Sequence, residues 1–277
     1  MRFWTLAGTM ACLLALMTSA ADAAQPAPWE MVFQPAATPV MEFIVNFHEV
    51  LVYLITAITL FVLGLMIYVF VRFNAKANPT PSTKTHNTLL EVAWTVVPVI
   101  ILVVIAVPSF RLLYFMDRAP DAEMTVKAIG HQWYWSYEYP DHGNFTFDAL
   151  MVAEKDLKAG QPRLLATDNA IVVPVNTKVR LLATADDVIH AWAMPAFGVK
   201  IDAVPGRTNE RWVEGTREGT YYGQCSELCG VNHGFMPIQV EVVSKEKFAA
   251  WVAQKRRAAG LSPAPQPVQL VRAFEAN

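Results

Sequence analysis

The chain is short of charge. Only 17% of its 277 residues are charged, whereas 54% are hydrophobic, and a soluble globular chain carries about 25% charged residues. This shortage indicates membrane segments. The net charge of −2 argues against a nucleic-acid-binding protein, which would need a strongly basic face.

Cysteine is scarce as well, with three residues in the whole chain. Cys12 lies in a segment that we expect to be removed, which leaves Cys225 and Cys229 as one close pair. The sequence contains no Cys-x-x-Cys-His motif. We therefore predict no fused c-type haem domain.

The first residues are typical of a secretory signal peptide, which we place at residues 1–24. Arg2 supplies a positive start, the run from Leu6 to Met17 is apolar, and the small residues around Ala23 suit cleavage. A retained transmembrane helix is the alternative. The apolar run is short for crossing a bilayer, which favours cleavage.

Two long runs without charge follow, from Val50 to Val71 and from Val92 to Phe110. As a helix, the first run measures about 33 Å, enough to cross a hydrocarbon core of about 30 Å. We predict helices at about residues 47–73 and 89–114, within an N-terminal segment and hairpin of residues 25–119. Asn46 followed by Glu49 is typical of a helix start. Two buried core helices are the alternative.

Lysine and arginine are unevenly distributed around these runs. The loop between them carries Arg72, Lys76 and Lys84, whereas residues 25–49 contain neither lysine nor arginine. By the positive-inside rule the loop is cytoplasmic and both termini lie outside. The signal peptide gives the same orientation independently.

Residues 120–260 read as a separate extracytoplasmic domain. Met124–Ile129 and Lys178–Ala183 alternate between apolar and polar residues, Ile171–Pro174 is rich in β-branched residues, and turn signals separate the runs. This pattern predicts an antiparallel sandwich or barrel. Ser244–Gly260 predicts a short amphipathic helix, and a proline-rich tail fills residues 261–277.

The densest group of metal-ligating residue types lies in the segment Cys225-Ser-Glu227-Leu-Cys229-Gly-Val-Asn-His233-Gly-Phe-Met236, with His190 upstream. Thiolates, imidazoles and a thioether favour copper over magnesium or calcium. A single-copper electron-transfer site needs two histidines, one cysteine and a weak axial methionine. The second cysteine allows two thiolates to bridge two coppers, each with one histidine. Met236 would then be a weak ligand to one copper, and the Glu227 carbonyl could serve the other.

Three other interpretations compete with copper. The cysteines could form a disulfide in an oxidising compartment. Zinc could be bound by two cysteines and two histidines, although Met236 would then be idle. His190 alone could be a hydrogen-bonded core residue. Five ligand-type residues at close spacing favour the copper site.

With these residues the chain resembles the cytochrome c oxidase subunit II family, the CuA-containing bacterial type of the haem–copper oxidases. The similar stretches are Gly130-His-Gln-Trp-Tyr-Trp-Ser-Tyr-Glu138, Pro205-Gly-Arg207, Tyr221-Tyr-Gly-Gln-Cys225 and Glu91-Val-Ala-Trp94. The resemblance implies a two-helix transmembrane hairpin, followed by an all-β cupredoxin-like (Greek-key) barrel with a short C-terminal helix. It also implies a multi-pass protein of the bacterial inner membrane, with both termini and the barrel on the periplasmic side.

The function implied by the resemblance is that of a subunit of an aerobic respiratory, proton-translocating cytochrome c oxidase. The chain itself would transfer electrons from a separate cytochrome c to the haem–copper catalytic subunit I, which reduces oxygen to water, in a complex with other oxidase subunits. The implied dinuclear copper ligands are the side chains of His190, Cys225, Cys229, His233 and Met236 and the carbonyl of Glu227. The Glu227 side chain would bind a magnesium ion shared with subunit I, although a solvated loop acid explains it equally well.

Aromatic and acidic residues suggest where electrons enter the domain. Strand alternation places Trp133, Trp135, Tyr137 and Tyr139 on one face, and the resemblance implies that electrons arrive at Trp133. A plain aromatic core strand is the alternative. We expect acids to steer a basic cytochrome c in a salt-dependent manner, although each acid separately could simply be solvated. These acids are Glu138, Asp141, Asp148, Asp186 and Asp187.

Glu91 has two interpretations. Thr88-Leu-Leu-Glu91 fits a capping box at the start of the second helix, and the resemblance implies a role in proton uptake from the cytoplasmic side.

Related classes of protein fit the sequence less well. A quinol oxidase subunit II lacks the copper ligands, and a nitrous-oxide reductase copper domain lacks the two-helix anchor. A copper carrier for assembly would not need the aromatic strand and the acids.

Overall fold

The computed structural model describes residues 23–117 and 121–262. It divides into two units: a helical hairpin of residues 40–118, and a second unit that combines residues up to Pro39 with those from Ala119 onward. Residues 1–22 and 263–277 contain most of the predicted signal peptide and of the proline-rich tail. Both segments lie outside the described residues.

Two long helices form the hairpin, α1 (Pro39–Arg72) and α2 (Thr88–Asp117). Each contains an 18-residue apolar stretch of which no residue is buried. A soluble protein rarely exposes so large an apolar surface, which argues against buried core helices and for helices that cross a membrane. Pro98 and Pro108 lie inside α2, as transmembrane helices tolerate.

The helix starts differ from those predicted. Helix α1 begins at Pro39 rather than near Asn46, because proline is well suited to the first helical position and the residues after it do not interrupt the helix. Helix α2 is capped by Asn87, whose Oδ1 accepts from the Leu90 amide at 3.2 Å. The Glu91 carboxylate accepts from the Asn87 amide at 3.3 Å. This reciprocal cap begins one residue before the predicted Thr88.

Two β-sheets form the second unit. The strands of the first sheet are β2 (Met124–His131), β3 (Tyr134–Tyr139), β4 (Phe145–Ala149), β6 (Val179–Ala185) and β9 (Asn209–Val213). Their order across the sheet is β4-β3-β2-β6-β9. Alternate residues of β2 and β3 are buried, because one face of the sheet covers the core.

The second sheet contains β1 (Ala23–Ala24), β5 (Ile171–Pro174), β7 (His190–Met194), β8 (Val199–Ala203), β10 (Gly219–Cys225) and β11 (Pro237–Val243). Its order is β5-β11-β10-β7-β8, and β1 pairs with β10. The pairs β2–β6, β5–β11 and β1–β10 are parallel, whereas the prediction was an antiparallel sheet. Residue alternation identifies a strand but not its direction, which is why these pairs were missed. The two sheets enclose one core in a cupredoxin-like β-sandwich.

The segment before α1 is part of this β-domain. The Ala37 amide donates to the Ala196 carbonyl and its carbonyl accepts from the Thr216 amide, each at 2.9 Å. The Thr38 hydroxyl donates to the Phe197 carbonyl at 2.7 Å. This segment and the residues after α2 belong to one domain. The start of α1 and the end of α2 therefore lie on the same side of any membrane that the helices cross.

Helix α3 (Lys245–Ala258) closes one end of the β-domain and confirms the predicted amphipathic helix. Its N-cap, Ser244, accepts from the Lys247 amide at 3.3 Å. Phe248 and Val252 are buried, and the Trp251 ring centroid lies 5.1 Å from that of Tyr139.

The Tyr139 hydroxyl protects the open edge of β5, and its removal should destabilise the β-domain. The hydroxyl donates to the Val172 carbonyl at 2.9 Å and accepts from the Val172 amide at 3.0 Å. Tyr139→Phe leaves both buried groups unpaired, so we expect a loss of about 1–3 kcal/mol in the free energy of unfolding. Chemical denaturation of the detergent-solubilised chain measures this change in the free energy of unfolding. Tyr134→Phe, at a partly exposed position of β3, is the control, and equal stability of the two variants would contradict this role.

Candidate metal centre

Three segments meet at one end of the β-sandwich. His190 is the first residue of β7, and Cys225 is the last residue of β10. The loop from β10 to β11 carries Cys229, His233 and Met236. Strand β10 pairs with β7 through Cys225 and Trp192, so the sheet itself brings His190 beside the first cysteine.

The six predicted ligand groups converge on the two cysteine sulfurs. Cys225 Sγ lies 3.9 Å from Cys229 Sγ, 3.9 Å from His190 Nδ1 and 3.4 Å from the Glu227 carbonyl oxygen. Cys229 Sγ lies 3.5 Å from both His233 Nδ1 and Met236 Sδ. Each sulfur therefore has an imidazole nitrogen on its own side, and the donors form two linked groups rather than one.

The two cysteines do not form a disulfide. Their sulfur atoms are 3.9 Å apart, whereas a disulfide bond measures about 2.05 Å, and both side chains are buried as free cysteines. Two sulfurs at this separation can both lie about 2.3 Å from the same metal ion.

The electrostatics of the sulfur pair also suit a cation. Burial alone would raise the pKa of the Cys225 thiol, but hydrogen bonds from His190 and from the Ala191 backbone lower it to about 6. Burial and the neighbouring Cys225 charge raise the pKa of the Cys229 thiol to about 12. The protein by itself therefore favours one thiolate, and the second becomes favourable when a positive ion lies between the sulfurs.

His190 is held in one tautomer. Its side chain is fully buried, and Nε2 lies 2.9 Å from Asp187 Oδ1. The carboxylate acceptor keeps a proton on Nε2, so His190 coordinates a metal through Nδ1, which faces Cys225 and gives up its own proton when a metal ion binds. Burial opposes ionisation of Asp187, but hydrogen bonds from His190, Val188 and Gln132 hold the pKa of its carboxyl below the usual value.

Gly130 makes room for the His190 ring. A Cβ at this position would lie 2.7 Å from His190 Cδ2 and 2.9 Å from its Cγ. The close approach of β2 to the histidine therefore requires glycine.

Trp133 lies in the turn between β2 and β3, so its predicted place on the face of a strand was wrong. Trp135, Tyr137 and Tyr139 do share the buried face of β3. The Trp133 indole Nε1 donates to the Cys229 carbonyl at 3.1 Å, and the Gln132 amide Nε2 donates to the same oxygen at 2.8 Å. The turn occupies Gln132 and Trp133, so β3 begins at Tyr134 rather than at the predicted His131. This turn brings Trp133 to the loop between β10 and β11, the metal-binding loop.

Gln132 was missed as a residue of the site. It lies inside the Gly130-His-Gln-Trp stretch of the sequence, but only the tryptophan of that stretch was assigned a role. An amide next to a candidate electron-transfer residue was the available signal.

The predicted docking acids are not gathered in one place. Asp186 contacts His131 Nδ1 at 2.8 Å, so it lies beside the turn, as Asp187 does. Glu138 pairs with Lys127 at 3.2 Å, and Asp148 accepts from the Ser136 hydroxyl at 2.6 Å on the outer face of β3. Asp141 follows the opposite end of β3 from Trp133 and accepts from the Thr125 amide at 2.6 Å.

Glu227 and Glu91 lie in different units of the molecule. The Glu227 side chain is exposed on the metal-binding loop, with its carbonyl turned toward Cys225. Glu91 lies in the first turn of α2 and forms the cap described above.

The fold and the donor set define a cupredoxin-like domain joined to a two-helix hairpin. Comparison with known families gives two matches: "Cytochrome C oxidase subunit II, transmembrane domain" over residues 26–112 and "Cytochrome C oxidase subunit II, periplasmic domain" over residues 124–243. The chain belongs to the cytochrome c oxidase subunit II family. It is thus a membrane protein and a subunit of an oxidase.

Individual relatives agree over most of the chain. A probable cytochrome c oxidase subunit 2 of Rickettsia felis is 54% identical over 258 residues, covering 93% of this chain and 82% of the relative. The cytochrome c oxidase subunit 2 of Arabidopsis thaliana is 48% identical over 243 residues, covering 86% and 93%. The crystal structure of the periplasmic domain of subunit II of cytochrome oxidase from Bradyrhizobium japonicum is 55% identical, with a TM-score of 0.48, and covers 51% of this chain and 99% of that domain.

Gly130→Ala should weaken metal binding without unfolding the domain. The added Cβ displaces the His190 ring, since it would otherwise lie 2.7 Å from Cδ2. We expect an increase of about tenfold or more in the metal dissociation constant, measured by competition with a chelator. Gly234→Ala is the control, because a Cβ there meets nothing within 4 Å. Equal affinities of the two variants would show that this spacing is unimportant.

Proposed function

We propose that this chain accepts electrons from cytochrome c at a dinuclear copper centre and passes them to the haem–copper catalytic subunit. One observation carries the proposal: two buried, unpaired cysteine sulfurs lie 3.9 Å apart, each with an imidazole nitrogen within 3.9 Å. Membership of the cytochrome c oxidase subunit II family supports the same function.

The donor set fits copper. Soft thiolates and a thioether with borderline imidazoles select copper among the common protein metals, and a zinc site would leave the buried Met236 without a use. The proposed ligands are the side chains of His190, Cys225, Cys229, His233 and Met236 and the carbonyl of Glu227. Two coppers held by these residues would share the transferred electron, so the charge at each metal would change little.

The protein's own contribution is a rigid, dry site. His190 is 0% exposed and Met236 is 1% exposed, so little water has to reorganise when the charge changes. The Asp187–His190 hydrogen bond fixes the histidine. Gln132 and Trp133 donate to the Cys229 carbonyl and hold the loop that carries Met236. Fixed ligands reduce the geometric change on transfer, which favours fast electron transfer over substrate chemistry.

We further propose that electrons arrive at Trp133. Its indole donates directly to the carbonyl of a proposed bridging cysteine, which supplies a short bonded route from the turn to the sulfur. Asp186 and Asp187 lie beside this turn and suit the docking of a basic cytochrome c, whereas Asp141 at the far end of β3 suits a more peripheral steering role. Such steering weakens as salt is added.

The metal-binding loop supports a contact with the catalytic subunit. Leu228 and Val231 are 78% and 81% exposed, and exposed apolar side chains beside a functional loop are typical of a protein interface. The neighbouring exposed Glu227 carboxylate is suited to a magnesium ion shared with that subunit, as a hard oxygen ligand.

The proposed orientation places the β-domain on the periplasmic side of a bacterial inner membrane. Arg72 is the last residue of α1, and Lys76 and Lys84 lie in the loop between the helices, which favours a cytoplasmic position for that loop. Glu91 then lies near the cytoplasmic side, where it would take part in proton uptake in addition to capping α2.

Cys229→Ser should abolish the two-copper signal. A serine hydroxyl does not bridge copper as a thiolate does, so we expect electron paramagnetic resonance of the purified oxidase to lose the hyperfine pattern of an electron shared by two coppers. Ser226→Ala, in the same loop, should keep it. A shared-electron pattern that persists in Cys229→Ser would refute the bridging role.

Trp133→Phe should slow electron arrival while leaving the copper centre intact. The variant keeps an aromatic ring but loses the indole N–H donor to the Cys229 carbonyl. We expect the rate of reduction by cytochrome c to fall about 10–100-fold in stopped-flow measurements, with an unchanged copper signal. Tyr134→Phe, the next residue along the chain, is the control. A wild-type rate in Trp133→Phe would move the arrival point elsewhere.

A further inference from the structure

Asp187 lies between two segments of the proposed copper site. One carboxylate oxygen, Oδ1, is 2.9 Å from His190 Nε2 and accepts from the Val188 amide at 2.5 Å. The other oxygen, Oδ2, accepts from the backbone N–H of Gln132 at 2.6 Å. A single side chain thus contacts both a proposed ligand and the turn that carries Trp133.

The neighbouring acid is placed differently. Asp186 contacts His131 Nδ1, and its side chain is 60% exposed, compared with 31% for Asp187. The two residues carry the same charge at adjacent positions, so charge alone would give them the same role. Their contacts separate them.

The turn is also joined to the second cysteine. Gln132 Nε2 and Trp133 Nε1 both donate to the Cys229 carbonyl, and Cys229 Sγ lies 3.9 Å from Cys225 Sγ. The contacts form a closed ring that runs from His190 through Asp187 and Gln132 to Cys229, and returns through Cys225. Within this ring, Asp187 makes the link between the β7 segment and the turn.

We propose that Asp187 is a positioning residue that fixes His190 as a copper ligand and also holds the turn carrying Trp133. This rests on the proposed copper function and goes beyond steering of cytochrome c by surface charge. The carboxylate accepts the Nε2 proton, so Nδ1 faces the copper site. An anionic acceptor also makes the imidazole a stronger donor, which stabilises the more positive, oxidised centre. The second oxygen keeps the turn at a fixed distance from that ligand.

Asp187→Asn and Asp186→Asn form a matched pair for the test. Each removes one negative charge, and both should weaken the salt-dependent association with cytochrome c. An asparagine at 187 has only one oxygen, and its NH₂ group would face either the His190 or the Gln132 N–H donor. It therefore cannot satisfy both contacts.

The measurements use the purified oxidase containing the full-length chain. In Asp187→Asn we expect copper retention against a chelator to fall about 10–100-fold, the midpoint potential of the copper centre to rise, and the hyperfine pattern to change. In Asp186→Asn we expect wild-type values of all three. Identical behaviour of the two variants in all three measurements would overturn the proposal and leave Asp187 as a docking charge.

Asp187→Glu provides a second test if the asparagine variant does not assemble. It keeps the charge but lengthens the side chain, so a positioning role predicts weaker copper retention, whereas a purely electrostatic role predicts the wild-type value and would refute the proposal. Failure of the proposed function is distinguishable, because the wild-type oxidase would then lack the two-copper signal before any substitution is made.

Discussion

The separation of the Cys225 and Cys229 sulfurs is the constraint on which the rest of the site depends. Two thiolates so close repel each other, so the fold has to hold them together until a cation makes the pair favourable. Cys225 is fixed at the end of β10. Cys229 lies in a loop that is fixed by hydrogen bonds to the turn of the other sheet. Both sheets therefore help to set the distance between the Cys225 and Cys229 sulfurs.

The features that could be predicted from sequence are those that depend on residue type over a continuous stretch. Uncharged runs identify the two helices of the hairpin, since a bilayer requires about 20 apolar residues in succession. The metal donors could be identified because four of the five side chains lie in one short segment of the sequence, Cys225–Met236. Alternation in β2, β3 and β6 identified strands, although not the parallel pairing of β2 with β6.

Contacts between distant residues could not be predicted in the same way. Asp187 and the Gln132 amide are 55 positions apart, and such a hydrogen bond leaves no periodic pattern in either segment. Asp186 and Asp187 therefore looked equivalent. Trp133 was misplaced for a related reason: the aromatic alternation continues in phase through the turn at Gln132, so the pattern cannot reveal where β2 ends.

The N-terminal segment within the β-domain has a consequence for biosynthesis. Ala37 and Thr38 are fully buried among residues that are synthesised more than 150 positions later. The domain therefore cannot complete its folding until both helices and the chain beyond them have been synthesised. Binding of the proposed copper needs the finished loop between β10 and β11, so it would be among the last events in the maturation of the subunit.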